Sequence, residues 1–231
     1  MKQGLLALAA MSLVCISALA QVPARRPYVR ASGEGVVATR PDQVKVSVNC
    51  MAQAATAQEA TEAVAGQAAA VISALTQLLG SRGEVRTVGV SVSPQYRYPQ
   101  GQPPQLTGYQ ATNTIEVTIG DLTLAGRTVD TAVQAGASSI GGLRFGLKDP
   151  NPVRNQALRA ATQQARQSAE AIATGLGSRL GAVVMASESS VYVPVLTDAR
   201  APNLAAGAAT PIEPGTVEVR ANVTVEIELA Q

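Results

Sequence analysis

Hydrophobic and polar positions alternate along this chain with two different periods, and the changes of period divide it into elements. From Gln43 to Ala52, Val44, Val46, Val48 and Cys50 fall on one side while Lys45, Ser47 and Asn49 fall on the other. That is the period-two pattern of a half-buried strand, with Cys50 as a small core side chain. The period then lengthens. Ala60, Val64, Ala68, Val71, Leu75 and Leu78, widened by Ile72 and Leu79, form one apolar stripe that closes at Gly80, as a core-facing helix requires. Thr56-Ala57-Gln58-Glu59 has the spacing of a capping box and places the start of that helix.

A second strand pair follows, with Val88, Val90 and Val92 in one run and Ala111, Asn113, Ile115, Val117 and Ile119 in the next. Between them, Pro94 to Thr107 is rich in Pro, Gln and Tyr and reads as a loop. Asp121 caps a shorter helix with Leu122, Ala125, Val129 and Ala132 on one side, and Gly136 ends it. Ile140 to Leu147 is a further candidate strand. Asp149-Pro150-Asn151-Pro152 opens a second long helix, running to about Gly175 or Gly177, with Leu158, Ala161, Ala165, Ala169, Ile172 and Leu176 as its expected buried stripe. Val183 to Val193 looks extended, and an Ala/Pro segment, Pro194 to Pro214, reads as a surface loop. The cleanest alternation comes last: Val217, Val219, Ala221, Val223, Val225, Ile227 and Leu229 against Glu218, Arg220, Asn222, Thr224, Glu226 and Glu228. Strands and helices in this order predict an α+β fold, a largely antiparallel sheet with helices packed on one face.

The first twenty residues follow a different pattern. Lys2 supplies a positive start, Leu5 to Leu19 is apolar apart from Ser12 and Ser17, and Ala18-Leu19-Ala20 places small residues where a signal peptidase reads. Residues 1–20 are expected to be an export signal and 21–231 the mature domain. Ser12-Leu13-Val14 before Cys15 lacks the residues that precede a lipidated cysteine. No other window comes near eighteen apolar residues, so no transmembrane helix is expected in the mature chain.

Composition then removes whole classes of chemistry. The chain has no histidine, which excludes a Ser-His-Asp hydrolase, a Cys-His protease and a zinc hydrolase together. Its two cysteines are Cys15 and Cys50. Removing the signal leaves Cys50 without an intramolecular partner, so stability must come from a packed core. The mature chain keeps two lysines, Lys45 and Lys148, neither in a Ser-x-x-Lys motif. Losing Lys2 from eighteen basic residues against sixteen acidic ones leaves a net charge near +1, and no nucleic-acid partner is expected. Arg25, Arg26, Arg30 and Arg40 make the N-terminal segment locally basic, which reads as a solvated leader rather than an anion-binding patch.

The motifs that look chemical have simpler readings. Gly33-Glu34-Gly35 resembles the start of a dinucleotide fingerprint, but Thr39-Arg40-Pro41-Asp42 interrupts where a helix must begin, so a glycine-bulged first strand is expected instead. Glu59 and Glu62 could share one helix face as an acid-base pair, against which stands a solvated face beside the apolar stripe. Asp130-Thr131-Ala132 lacks the glycine of an aspartic-protease loop. Cys50, Met51 and Met185 are too few for stoichiometric scavenging of oxidants. Tyr96, Tyr98 and Tyr109 cluster around the Pro/Gln loop, where they either anchor a partner or cover the end of their own sheet. No catalytic, cofactor-binding or metal-ligating residue is assigned.

In order and spacing the chain resembles the SIMPL-domain family of bacterial envelope proteins. The resemblance rests on Val29 to Gly35, Arg40-Pro41-Asp42, Thr56 to Ala60, Val92 to Tyr96, Gly108 to Asn113 and the helix from Ala160 to Gly177. It implies an α+β fold, export to the periplasm with possible attachment to the outer membrane, assembly into large homo-oligomers in some members, and a link to oxidative-stress tolerance. It transfers no catalytic residues. Two functions compete: a non-enzymatic self-assembling protein supporting the envelope, motivated by edge pairing of the long last strand, and a periplasmic small-molecule-binding or histidine-independent hydrolytic protein using a cleft between helices and sheet.

Overall fold

The computed structural model describes residues 26–191, 212 and 214–231. The expected export signal, 1–20, and nearly all of the expected surface loop, 194–214, lie outside these residues. The described elements are β1 (Tyr28–Thr39), β2 (Gln43–Ala54), α1 (Ala57–Leu79), β3 (Gly83–Arg97), β4 (Gln105–Ile119), α2 (Ala125–Gln134), β5 (Ser139–Gly146), α3 (Asn151–Gly175), β6 (Arg179–Val191) and β7 (Val217–Ala230). They form an α+β fold with two antiparallel sheets, one ordered β3-β4-β2-β5 and the other β1-β7-β6. The three-stranded sheet takes its strands from both ends of the sequence, and the four-stranded sheet is built from the stretch between them.

The four-stranded sheet buries the predicted face of β2, with Val44, Val46, Val48 and Cys50 fully covered. Ala111, Ile115, Val117 and Ile119 of β4 lie beside them. Helix α1 closes this core with Ala60, Val64, Ala68, Val71, Leu75 and Leu79. Its capping box is formed: Glu59 N–H donates to Thr56 Oγ1 at 3.2 Å, and Thr56 N–H donates to Glu59 Oε2 at 3.3 Å. Asp121 caps a 3₁₀ turn, Leu122–Leu124, which leads into α2. Half of the stretch expected as a loop is strand, because Pro94 to Arg97 pairs with Gln105 to Tyr109 and lengthens the β3–β4 hairpin. Proline is tolerated there because β3 is an edge strand.

Helix α3 covers the three-stranded sheet with a stripe that differs from expectation. Ala157, Ala161, Ala165, Ala169 and Ala173 are buried at a strict four-residue spacing, while Leu158 is only half-buried and Ile172 and Leu176 are exposed. The cause lies in β1. A Cβ on Gly33 would collide with the carbonyl of Ala161 and the amide of Ala165, and one on Gly35 with the carbonyl of Ala157. Helix backbone and strand backbone therefore touch, and only alanine fits between them. The expected glycine bulge is absent, since β1 and β7 pair without a break from Tyr28↔Glu228 to Thr39↔Val217.

Strand β7 buries its predicted apolar face, but it is the central strand, hydrogen-bonded to β1 on one side and β6 on the other. The expected route to assembly, edge pairing of this strand, is closed because neither of its edges is free. Among the described residues, one helix, Ala57–Arg82, is long and apolar enough to cross a membrane, although no second such window was expected. Its apolar stripe packs on the four-stranded sheet.

Candidate functional site

The two glutamates that could have formed an acid-base pair are occupied locally. Glu59 is held in the capping box, and Glu62 accepts a hydrogen bond from Gln58 Nε2 at 2.9 Å. No group of three or more Cys, Asp or Glu side chains with metal-binding geometry exists among the described residues. Cys50 sits on the buried face of β2, and burial pushes its thiol pKa up, away from the reactive thiolate. Met51 and Met185 are both exposed.

Of the two lysines among the described residues, Lys45 is held in an ion pair by its side chain, and Lys148 makes its hydrogen bond through the backbone. Lys45 Nζ lies 3.4 Å from Glu116 Oε1 on the open face of the four-stranded sheet, and Arg86 Nη2 approaches the same oxygen at 2.6 Å. The three charges span β2, β4 and β3. The hydrogen bond from Arg86 first, and then the nearby Lys45, hold the Glu116 carboxyl below its usual range. The Lys148 N–H donates to Asp42 Oδ1 at 2.7 Å and ties the β1–β2 connection to the start of α3. The basic N-terminal segment is largely neutralised where it is described: Arg26 pairs with Glu228 at 3.3 Å and Arg30 with Glu226 at 3.1 Å, both across to β7.

Among the described residues, the fold leaves exposed apolar side chains on β6 and the end of α3, and also along β3 and its hairpin. Val90 and Val92 pair with Asn113 and Ala111, so they point to the helix-bearing face. Helix α1 packs on the first part of β3, around Val85, and leaves Val90 59 % exposed. Val88, at a break in register with β4, is exposed too. The same hairpin carries Tyr96, Leu106 and Tyr98, the last 74 % exposed. The tyrosine cluster therefore divides: Tyr109 packs against the core, while Tyr96 and Tyr98 project. Sequence periodicity marked Val88, Val90 and Val92 as strand but carried no signal that their apolar side lies beyond the reach of α1.

Among the described residues, the protein is an α+β, two-sheet molecule with an exposed apolar hairpin. The chain belongs to the SIMPL family, described as "Protein of unknown function (DUF541)", whose model matches residues 29–227. It is similar to the 26 kDa periplasmic immunogenic protein of Brucella melitensis, with 28% identity over 185 residues that cover 78% of this chain and 74% of the relative. It is also similar to the uncharacterized protein YggE of Edwardsiella ictaluri, 29% identical over 187 residues covering 79% of this chain and 78% of that one. The uncharacterized protein YggE of Escherichia coli K12 is 28% identical over 184 residues, covering 79% of this chain and 74% of the relative.

Proposed function

We propose that this is an exported, non-enzymatic periplasmic protein that self-assembles through β3 and its hairpin and supports envelope integrity or oxidative-stress defence. The observation that carries the reading is the exposed apolar row Val88, Val90 and Val92 on β3, an edge strand that pairs on one side only, with β4, continued by Tyr96, Tyr98 and Leu106. An edge with free backbone groups and apolar side chains is a template for a second chain, and a contiguous exposed apolar patch marks an interaction surface. The Lys2 to Ala20 pattern and the name of the Brucella relative support a periplasmic location. The dispersal of Glu59, Glu62 and Cys50 into a cap, a local hydrogen bond and a core supports a role without catalysis.

The stress role is tested by complementation. In a strain lacking the gene and challenged with peroxide, the wild-type chain is expected to restore growth and a folded, exported Val90→Lys variant to restore less. Equal rescue by the two would separate the stress role from assembly and count against the reading. Salt-washed membrane fractions from the same cells test peripheral attachment to the outer membrane.

A further inference from the structure

Helix α3 does not sit centrally on its sheet. It packs heavily on β1 and β7 and only marginally on β6, because the Gly33 and Gly35 contacts pull it towards the β1 side, where Gln164 Oε1 also accepts a hydrogen bond from Glu34 N–H at 2.7 Å. A groove of about 260 Å³ remains between the helix and β6. Its floor is Leu180 and Val183 of β6 with Val225 and Ile227 of β7, and its rim is Thr162 and Arg166 of α3. Register shifts on both sides of Val183 set this part of β6 apart from a regular strand. Val183 is 63 % exposed although it points to the helix-bearing face opposite Ile227.

The groove is apolar along its length and cationic at one end. Arg166 borders both this groove and a neighbouring polar hollow that contains Glu170 and Arg179. Arg179 donates to the Gln231 carbonyl at 2.8 Å, and Arg154, near the start of α3, is paired with Glu188. Arg166 has neither a hydrogen bond nor an ion pair among the described residues. An unpaired guanidinium is a fork suited to a carboxylate. Glu170, one turn further along α3, would repel a second negative charge, so a monoanion is favoured over a phosphate dianion. The volume suits one aliphatic chain, not two.

We propose that the groove between α3 and β6 binds a free fatty acid, with its carboxylate on Arg166 and its chain laid over Leu180 and Val183. This goes beyond the assembly reading and uses a different surface. Chain burial supplies the apolar part of the affinity, and Arg166 fixes which end of the ligand lies where.

The test is titration of the mature chain, residues 21–231, with dansylaminoundecanoic acid, followed by displacement with dodecanoate below its micelle concentration. Saturable binding is expected, reversed by dodecanoate and much less by dodecanol. Arg166→Gln should weaken binding about tenfold, the loss of one charged hydrogen-bonded contact, and Val183→Glu should remove it while circular dichroism stays unchanged. Val90→Lys should bind like the wild type, so failure of this site and failure of the assembly reading are distinguishable. Unsaturable binding, equal displacement by dodecanol, or full affinity in Arg166→Gln would each overturn the proposal. So would binding seen only in Val90→Lys, which would mean that a second copy covers the groove, or binding only to anionic phospholipid vesicles.

Discussion

Gly33 of β1 has no room for a side chain, because the carbonyl oxygen of Ala161 on α3 lies where its Cβ would be. Adding a methyl group there must push strand from helix along backbone atoms, which cannot rotate aside as a side chain can. Gly33→Ala and Gly35→Ala are therefore expected to destabilise the protein by at least the 1–3 kcal/mol, roughly, of ordinary overpacking. Gly66, mid-helix in α1 with nothing near its Cβ position, is the control: Gly66→Ala should stabilise by about 0.5–1 kcal/mol. Urea unfolding midpoints of the three variants check both signs.

The capping box at Thr56 gives a second expectation. Thr56→Ala removes the acceptor for Glu59 N–H and should cost about 1 kcal/mol, seen as a lower urea midpoint with an unchanged slope.

Acid should weaken the charge cluster across β2, β3 and β4. Because Arg86 and Lys45 lower the Glu116 pKa in the folded protein, their stabilisation is fully present above the ordinary carboxylate pKa. It is lost as pH falls through that value towards the lower folded one. Glu116→Gln should remove this part of the pH dependence and cost about 0.2–1 kcal/mol at neutral pH, the range of a partly exposed pair. Thermal melts of the variant and the wild type from neutral to acidic pH give the comparison.

Cys50 should be inert in the native protein. It is fully buried and burial raises its pKa, so an aromatic disulfide reagent should label it only after unfolding. A folded Cys50→Ser variant is expected to complement a stress-sensitive deletion as well as the wild type; failure to do so would give the thiol a direct role.

Which of these features could be read from the sequence depended on how local the determining physics is. The bounds of α1 and its stripe were legible except at the end, where Leu79 rather than Leu78 is fully buried, since the box at Thr56–Glu59 and the apolar stripe are properties of one segment. The alternation in β2 and β7 was legible for the same reason. The stripe of α3 was misplaced at Ile172 and Leu176, because its facing partners are glycines more than a hundred residues away. Periodicity also cannot say which strand becomes an edge: β7 has the best amphipathic pattern and lies in the middle, whereas β3 lies outside and keeps Val90 exposed. At the candidate sites, the separation of Tyr109 from Tyr96 and Tyr98 followed from the length of a hairpin whose Pro and Gln residues hid its strands.

Assembly through β3 is most directly tested by sedimentation velocity of residues 21–231, wild type and Val90→Lys, across a wide concentration range. The expected result is a discrete oligomer for the wild type and a shift to smaller species for the variant, with both chains folded. A wild-type chain that stays monomeric at its highest concentration, or an oligomer that Val90→Lys leaves intact, would contradict assembly through this edge.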